Sequence, residues 1–178
     1  MQKQFVAVCV GLCAAGPAQG QLARLALGAG TLFPTGEYSL HDKAGWHAFA
    51  AYTALGSPGR PFALRIDALY GRTSRKTTLP AGTSQVFGLD ATMVLRLSGT
   101  RLVDPYLLGG VGYYELEEGN AGGGSASPMN GLALSGGAGV SVGHRSARLF
   151  LEGRLLGGPV RHGVDFIPIT LGVTLGGG

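Results

Sequence analysis

Seven charged residues are spaced so that their side chains could meet inside one closed structure. They carry both signs and lie in four extended segments, where apolar residues alternate with polar or small ones. Because successive side chains of a strand point to opposite faces, each charge is expected to share a face with Gly, Ser and Thr. Pairing avoids the several kcal/mol that an unpaired buried ion costs. We therefore predict a lumen charge network of Arg65, Asp67, Asp90, Arg96, Glu115, Glu152 and Arg154.

One set of residues contains the group types of a serine hydrolase. His144, Ser146 and Glu152 supply a base, a hydroxyl nucleophile and a carboxylate, which must lie within hydrogen-bond reach of one another to act together. His144 and Ser146 fall in a predicted turn, whereas Glu152 points into the interior. We therefore interpret His144 and Ser146 as ordinary polar residues of a turn. No catalytic residue is predicted, and the protein is expected not to be an enzyme.

Glycine clusters and histidines give no sign of a cofactor or metal site. Gly109-Gly110-x-Gly112 and Gly136-Gly137-x-Gly139 complete neither GxGxxG nor GK[ST], and both lie inside strand patterns. Glycine in barrel strands more often allows bending or the close passage of neighbouring side chains. His41, His47 and His162 lack the spacing of metal ligands. No cofactor and no metal are predicted.

Eight extended segments must position these residues. Their spacing is regular, and tight turns at 57–61, 98–101 and 143–146 alternate with longer links at 34–44, 74–83, 119–130 and 157–163. Short turns at one end and longer loops at the other are typical of a barrel that crosses an outer membrane. The pattern predicts an all-β, eight-stranded antiparallel up-and-down transmembrane β-barrel. The predicted strands are Arg24–Phe33, Gly45–Leu55, Phe62–Thr73, Ser84–Leu97, Val103–Glu117, Leu132–Gly143, Arg148–Leu156 and Val164–Leu175.

The strand faces follow the solvent that each side chain prefers. Most segments set large apolar residues against sparse charges of both signs, as expected for a lipid-facing wall around a polar interior. In 103–117, the face of Tyr106, Leu108, Tyr114 and Leu116 is assigned to lipid and the face of Glu115 to the interior. In 45–55 the choice stays open between the Trp46/Tyr52 face and the His47/Phe49 face. An interior filled by paired charges is favoured over a narrow conducting path.

Composition and the N-terminus place this barrel in the cell envelope. The chain has 178 residues, of which 45% are apolar and 13% charged, enough for one folded domain. Its net charge of +4 comes from scattered arginines, so nucleic acid is not an expected partner. An apolar run from Phe5 to Ala15, followed by Ala18-Gln19-Gly20, predicts a signal peptide at 1–20 and a barrel domain at 21–178. Cys9 and Cys13 both fall inside the predicted signal, so no disulfide is expected.

Three strand phrases resemble those of the small bacterial outer-membrane β-barrels, the OmpA-like and opacity-type eight-stranded barrels. They are PYLLGGVGYY at 105–114, FLEGR at 150–154 and IPITLGV at 167–173. The resemblance implies an integral outer-membrane protein of the Gram-negative envelope, with lipid and the barrel-assembly machinery as partners and a structural or surface-interaction role. A porin-like passage for small solutes or ions and a lipid A hydrolase are the alternatives. Such barrels usually end in an aromatic residue, whereas glycine stands at 176–178 here.

Overall fold

The computed structural model describes residues 24–36, 38–56, 60–76, 82–97, 102–120, 129–144, 147–157 and 164–176. The predicted signal peptide lies outside these residues. Every predicted strand is present, which confirms the all-β fold class. The strands are β1 (Arg24–Pro34), β2 (Asp42–Leu55), β3 (Phe62–Arg75), β4 (Gly82–Arg96), β5 (Val103–Asn120), β6 (Met129–Gly143), β7 (Ala147–Gly157) and β8 (Val164–Leu175).

Each strand pairs antiparallel with the next, and β8 closes the barrel against β1. The closing register places Gly28 opposite Gly172 and Leu32 opposite Pro168. Closure satisfies the backbone hydrogen bonds of every strand and leaves no sheet edge, as an apolar solvent requires. The prediction of an eight-stranded up-and-down barrel is therefore confirmed.

The two ends of the barrel differ in what they carry. The start of β1 at Arg24 and the end of β8 at Leu175 lie at one end, called the termini end, together with the strand ends that the β2–β3, β4–β5 and β6–β7 connections join. The other, called the helix end, carries the remaining four connections, and the first of these contains a four-residue helix, α1 (Tyr38–His41). Strands β2 to β6 extend into the predicted loops at the helix end, with β2 starting at Asp42 and β5 ending at Asn120. The contrast between long and short connections is consequently weaker than predicted.

Large apolar side chains cover the outer wall. Leu132 and Leu134 are 72% and 71% exposed, and Leu171 on β8 is 62% exposed. The structure also resolves the open choice on β2, because Trp46 is exposed whereas His47 is fully buried. None of the helical residues in the described part of the chain forms a segment long and apolar enough to span a membrane.

The face assignment predicted for β5 was wrong. Tyr106, Leu108, Tyr114 and Leu116 are buried in the interior, and Leu107, Val111 and Tyr113 lie exposed on the outer wall with Glu115 and Glu117. The tyrosines point inward because their hydroxyl groups have carboxylate partners there. The two glutamates follow Tyr113 towards the helix end, so they can share the outer face with apolar residues.

Candidate functional site

The barrel interior is filled in three layers along its axis. Charged side chains of β3, β4 and β7 occupy the middle, and we call Arg65, Asp67, Asp90, Glu152 and Arg154 the polar layer. Two apolar clusters lie towards the termini end: Ala26, Phe49, Ala51 and Phe150 in one, and Ala63, Val94, Tyr106 and Leu108 in the other. The helix-end apolar layer consists of Leu32, Leu69, Val86, Tyr114, Leu116, Ala133, Leu156 and Phe166.

Arg65 links opposite walls of the barrel. It projects from β3, and its guanidinium forms a bidentate pair with Glu152 of β7, at 3.0 Å from Nη1 to Oε2 and 3.1 Å from Nη2 to Oε1. Its Nε also lies 2.7 Å from Asp67 Oδ1 on its own strand. Because the guanidinium is planar, it can serve both carboxylates in their preferred geometry. The result is a buried bridge across the lumen.

Arg154 on β7 connects all three carboxylates of the layer. Its Nε donates to Glu152 Oε1 at 2.6 Å, and its Nη2 lies 2.7 Å from Asp67 Oδ2. The contact of Nη1 with Asp90 Oδ2 is longer, at 3.6 Å. The guanidinium carbon also lies 4.9 Å from the centre of the Phe49 ring, within the range of a cation–π interaction. Arg154 is 3% exposed, so water screens these attractions weakly.

A like-charged pair at the centre of the layer explains the need for Arg154. Asp67 and Asp90 are direct cross-strand partners on β3 and β4. Carboxylates in that position repel each other. Arg154 contacts both, and Thr92 donates a hydrogen bond of 2.8 Å to Asp67. The pairing therefore holds because a cation from the opposite wall lies between the two carboxylates.

Tyrosine hydroxyls from β5 complete the carboxylate contacts. Tyr106 donates to Glu152 Oε2 at 2.8 Å, and Tyr114 donates to Asp90 Oδ2 at 2.6 Å. Hydrogen bonds to an ionised acceptor are roughly twice as strong as neutral ones. Sequence reasoning missed both tyrosines because it placed them on the lipid face. Their parity with Gly110 and Gly112 was the available signal, since those glycines leave room for partners from neighbouring strands.

The structure separates two of the seven predicted residues from the others. Arg65, Asp67, Asp90, Glu152 and Arg154 form the polar layer, but Arg96 lies near the termini end of β4 and has no ion-pair partner among the described residues. Glu115 is a correction, since it lies on the outer face of β5, between the buried side chains of Tyr114 and Leu116.

Two ion pairs near the barrel ends were not predicted. Arg75 and Glu118 pair at 3.0 Å at the helix end, and Arg148 and Asp104 pair at 2.8 Å at the termini end. These side chains are more exposed than those of the polar layer, so each pair contributes less to stability. They place charge at both mouths of the barrel, beyond the apolar layers.

The hydrolase set is not assembled by the described residues. Glu152 pairs in register with Gly139 of β6, and His144 follows five positions later, just past the end of that strand. At the rise of a strand, that separation is about 16 Å. Ser146 lies outside the described residues. Glu152 is held by both arginines and by Tyr106, which occupy the carboxylate oxygens that a neighbouring histidine would need.

The described residues also give no sign of a histidine-based site or of a cluster of metal ligands. His47 is fully buried, and its Nε2 lies 2.8 Å from Thr170 Oγ1 on β8. Within the described ranges, no group of three or more His, Cys, Asp or Glu side chains could hold a metal ion. The site is therefore an ion-pair and hydrogen-bond network in the middle of a barrel, with apolar side chains on either side.

A closed eight-stranded barrel with an apolar wall and an ion-paired interior has the fold of the small bacterial outer-membrane β-barrels. Among solved structures, the chain is similar to Neisserial surface protein A, with a TM-score of 0.62 and 17% identity over 86% of this chain and 96% of that one. The outer membrane protein OprG from Pseudomonas aeruginosa matches with a TM-score of 0.53 and 13% identity over 88% of this chain and 93% of that one.

The Yersinia pestis outer membrane protein Ail, solved in a phospholipid bilayer nanodisc, has a TM-score of 0.51 at 16% identity over 87% of this chain and 98% of that one. Identities this low show a shared fold, and each of these three proteins is a bacterial outer-membrane protein. No protein-family model matches the sequence, and no curated protein matches it.

Proposed function

We propose that the chain is an integral protein of the bacterial outer membrane, with a closed lumen and a structural or surface-interaction role. Residues 1–20 act as its signal peptide and 21–178 as its barrel domain. It works through its lipid-facing wall and the surface at the helix end, and it has no enzymatic activity. Outer-membrane lipid is its permanent partner, and the barrel-assembly machinery is its partner during insertion.

The filled interior is the observation that carries the closed-lumen proposal. Arg65 and Glu152 meet across the full width of the barrel, and both are at least nine-tenths buried. Apolar side chains pack on both sides of this bridge. An ion that crossed the lumen would have to break these pairs and lose its hydration between the apolar layers, which costs several kcal/mol.

The outer wall supports the membrane location. Large apolar residues are exposed on every strand, and Trp46, Tyr70 and Tyr113 lie on the outer face of β2, β3 and β5 towards the helix end. Trp46 and Tyr70 are in edge contact, at 5.7 Å between ring centres. Aromatic residues with a polar group favour the boundary between lipid and water. Water would not tolerate so continuous an apolar surface on a soluble monomer.

Conductance across a planar bilayer tests the closed lumen. The folded wild-type protein is expected to give no stepwise current, whereas Arg65→Ala and Arg154→Ala are expected to lose stability and to allow brief openings. Arg72→Ala, on the exposed outer face of β3, is the matched control and should behave as wild type. A steady wild-type conductance whose ion selectivity changes in the two lumen variants would instead establish a pore.

Three further measurements test location and the absence of enzymatic activity. The protein should be found in the outer-membrane fraction and should migrate faster on a gel when unheated than when boiled. A protein that dissolves without detergent and shows no change in mobility would contradict the membrane assignment. Lipid A incubated with the folded protein should remain intact, and released fatty acid would show that the protein is a lipid hydrolase.

A further inference from the structure

The polar layer carries one negative charge in excess. It contains three carboxylates, Asp67, Asp90 and Glu152, and two guanidiniums, Arg65 and Arg154, all of them at most 8% exposed. An uncompensated charge between apolar layers is costly, so the layer is expected to acquire a further positive charge when the barrel folds.

The excess is concentrated on Asp90. Glu152 accepts from both arginines and from Tyr106, and Asp67 contacts both arginines and accepts from Thr92. Asp90 has the hydrogen bond from Tyr114 and only the 3.6 Å contact with Arg154. Its Oδ1 atom has no hydrogen-bonding partner among the described residues, although the side chain is 1% exposed. It is the least compensated carboxylate of the layer.

A second buried oxygen without a partner lies on the other side of β5. Ser135 on β6 is 8% exposed, and its Oγ also has no hydrogen-bonding partner in the described part of the chain. It lies 3.0 Å from the position that a Cβ would take on Gly110, and Thr92 Oγ1 lies 2.9 Å from the same position. Asp90 Oδ1 lies over the neighbouring glycine on that face, Gly112.

The glycines determine the size of what can bind there. Gly110 is paired with Thr92 and Ser135, and Gly112 is paired with Asp90 and with Ala133. The interior face of β5 is therefore bare backbone between two strands that carry oxygen atoms. Carboxylate and hydroxyl oxygens are hard ligands that suit hard cations. The excess of one carboxylate over the guanidiniums matches a single positive charge, whereas a divalent cation such as calcium or magnesium would leave the buried layer with one uncompensated positive charge.

We propose that Asp90 and Ser135 bind one monovalent alkali cation over the backbone of Gly110 and Gly112, and that this cation neutralises the polar layer. A cation that binds only to the folded barrel stabilises it by an amount that grows with the logarithm of the cation concentration once the site is filled. At a cation concentration 100 times the dissociation constant, the folding equilibrium constant rises about 100-fold. The proposal thus predicts a specific salt effect on stability, distinct from screening.

The test is urea unfolding of the purified protein in detergent, in NaCl, KCl or N-methylglucamine chloride at equal ionic strength and pH. The wild type should unfold at a higher urea concentration in one of the alkali salts, and the folded protein should bind radiolabelled sodium or its potassium substitute rubidium at one ion per chain. Asp90→Asn keeps an acceptor for Tyr114 but removes the excess charge, so it should abolish both effects.

Ser135→Ala distinguishes a ligand from an unpaired hydroxyl. Removing an unpaired buried hydroxyl should stabilise the barrel, because its desolvation cost disappears. Removing a cation ligand should instead lower stability. It should also raise the dissociation constant of the cation at least tenfold and so reduce the salt effect. Ser74→Ala on the exposed face of β3 is the matched control.

Four results would overturn the proposal. The first is equal stability in all three salts, and the second is a gain in stability for Ser135→Ala, which would mean that its hydroxyl binds nothing. The third is stability that depends on pH but not on the cation and loses that dependence in Asp90→Asn, which would show that a proton supplies the missing charge. A loss of stability in Ser135→Ala without bound alkali ion would identify a water molecule there and would equally refute the cation.

Discussion

Replacing Arg154 with methionine tests whether ion pairs hold the barrel interior together. The side chain is 3% exposed and contacts Glu152, Asp67 and Asp90 at 2.6, 2.7 and 3.6 Å. Methionine keeps the unbranched apolar stem but removes the guanidinium, so Arg65 is left with Asp67 and Glu152, and Asp90 loses its arginine contact. Breaking a buried pair by removing one partner costs about 3–5 kcal/mol, against about 0–1 kcal/mol for a surface pair. We therefore expect Arg154→Met to lower the free energy of unfolding by about 4 kcal/mol.

Urea unfolding in detergent measures this loss. Trp46, the single tryptophan of the chain, is 52% exposed on the outer wall and reports transfer from detergent to water. With a slope of about 2 kcal/mol per molar urea, typical of a small protein, the midpoint should fall by about 2 M. Arg60→Met is the control, because Arg60 is exposed and its replacement should change stability by no more than about 0.5 kcal/mol.

A second substitution separates charge from packing. Asp90→Asn in the Arg154→Met background removes the carboxylate that has no contact with Arg65, so it should restore part of the lost stability. A coupling of about 0.5–3 kcal/mol is expected for residues of one network. The ion-pair explanation is refuted if Arg154→Met unfolds at the same urea concentration as Arg60→Met, or if Asp90→Asn lowers the stability of the variant further.

Three more comparisons test the packing of the interior and the orientation of β5, each by urea unfolding. Gly88→Ala should cost about 1–3 kcal/mol, because its Cβ would overlap the ring of Tyr114. Gly153→Ala is the control and should be neutral, since nothing lies within 4 Å of the new Cβ. Equal effects of the two substitutions would contradict the interior packing. Tyr114→Phe should cost about 1.5–3 kcal/mol, since the tyrosine hydroxyl donates to a buried carboxylate. A neutral result would show that this hydrogen bond does not stabilise the barrel. In lipid vesicles, Val111→Arg should cost about 2–4 kcal/mol and Glu115→Arg about 0–1 kcal/mol. Both residues lie on the outer face of β5, but Glu115 is nearer the helix end, where an arginine reaches water more easily. The reverse order would contradict the orientation of β5.

The strands were predictable because their signal is local. Alternation with period two needs only the preference of each side chain for lipid or for the interior, and glycine, proline and serine mark where it stops. In β8, Ile169 and Leu171 lie on the outer wall and Thr170 is buried, in agreement with the sequence pattern. The ends of β2 and β5 were not predictable, because polar residues past the membrane continue the hydrogen-bonded ladder without an apolar face.

The orientation of β5 needed information from other strands. Tyrosine is compatible with a lipid boundary and with a buried carboxylate partner. Tyr106 and Tyr114 are buried because Glu152 and Asp90 accept hydrogen bonds from their hydroxyl groups, and both carboxylates come from elsewhere in the chain. Glu115 was misplaced by the same ambiguity, since a carboxylate on a strand face suggests the interior only if that residue lies at membrane depth.

The polar layer also bears on how the barrel acquires a single register. Backbone hydrogen bonds connect only neighbouring strands, so they do not relate β3 to β7, four positions away around the ring. The Arg65–Glu152 pair connects these two walls directly. A one-residue slip of either strand would turn its charge towards lipid and leave the partner buried and unpaired, at a cost of several kcal/mol. We infer that the charged middle layer, flanked by apolar residues that would tolerate repacking, selects the register in which the barrel closes.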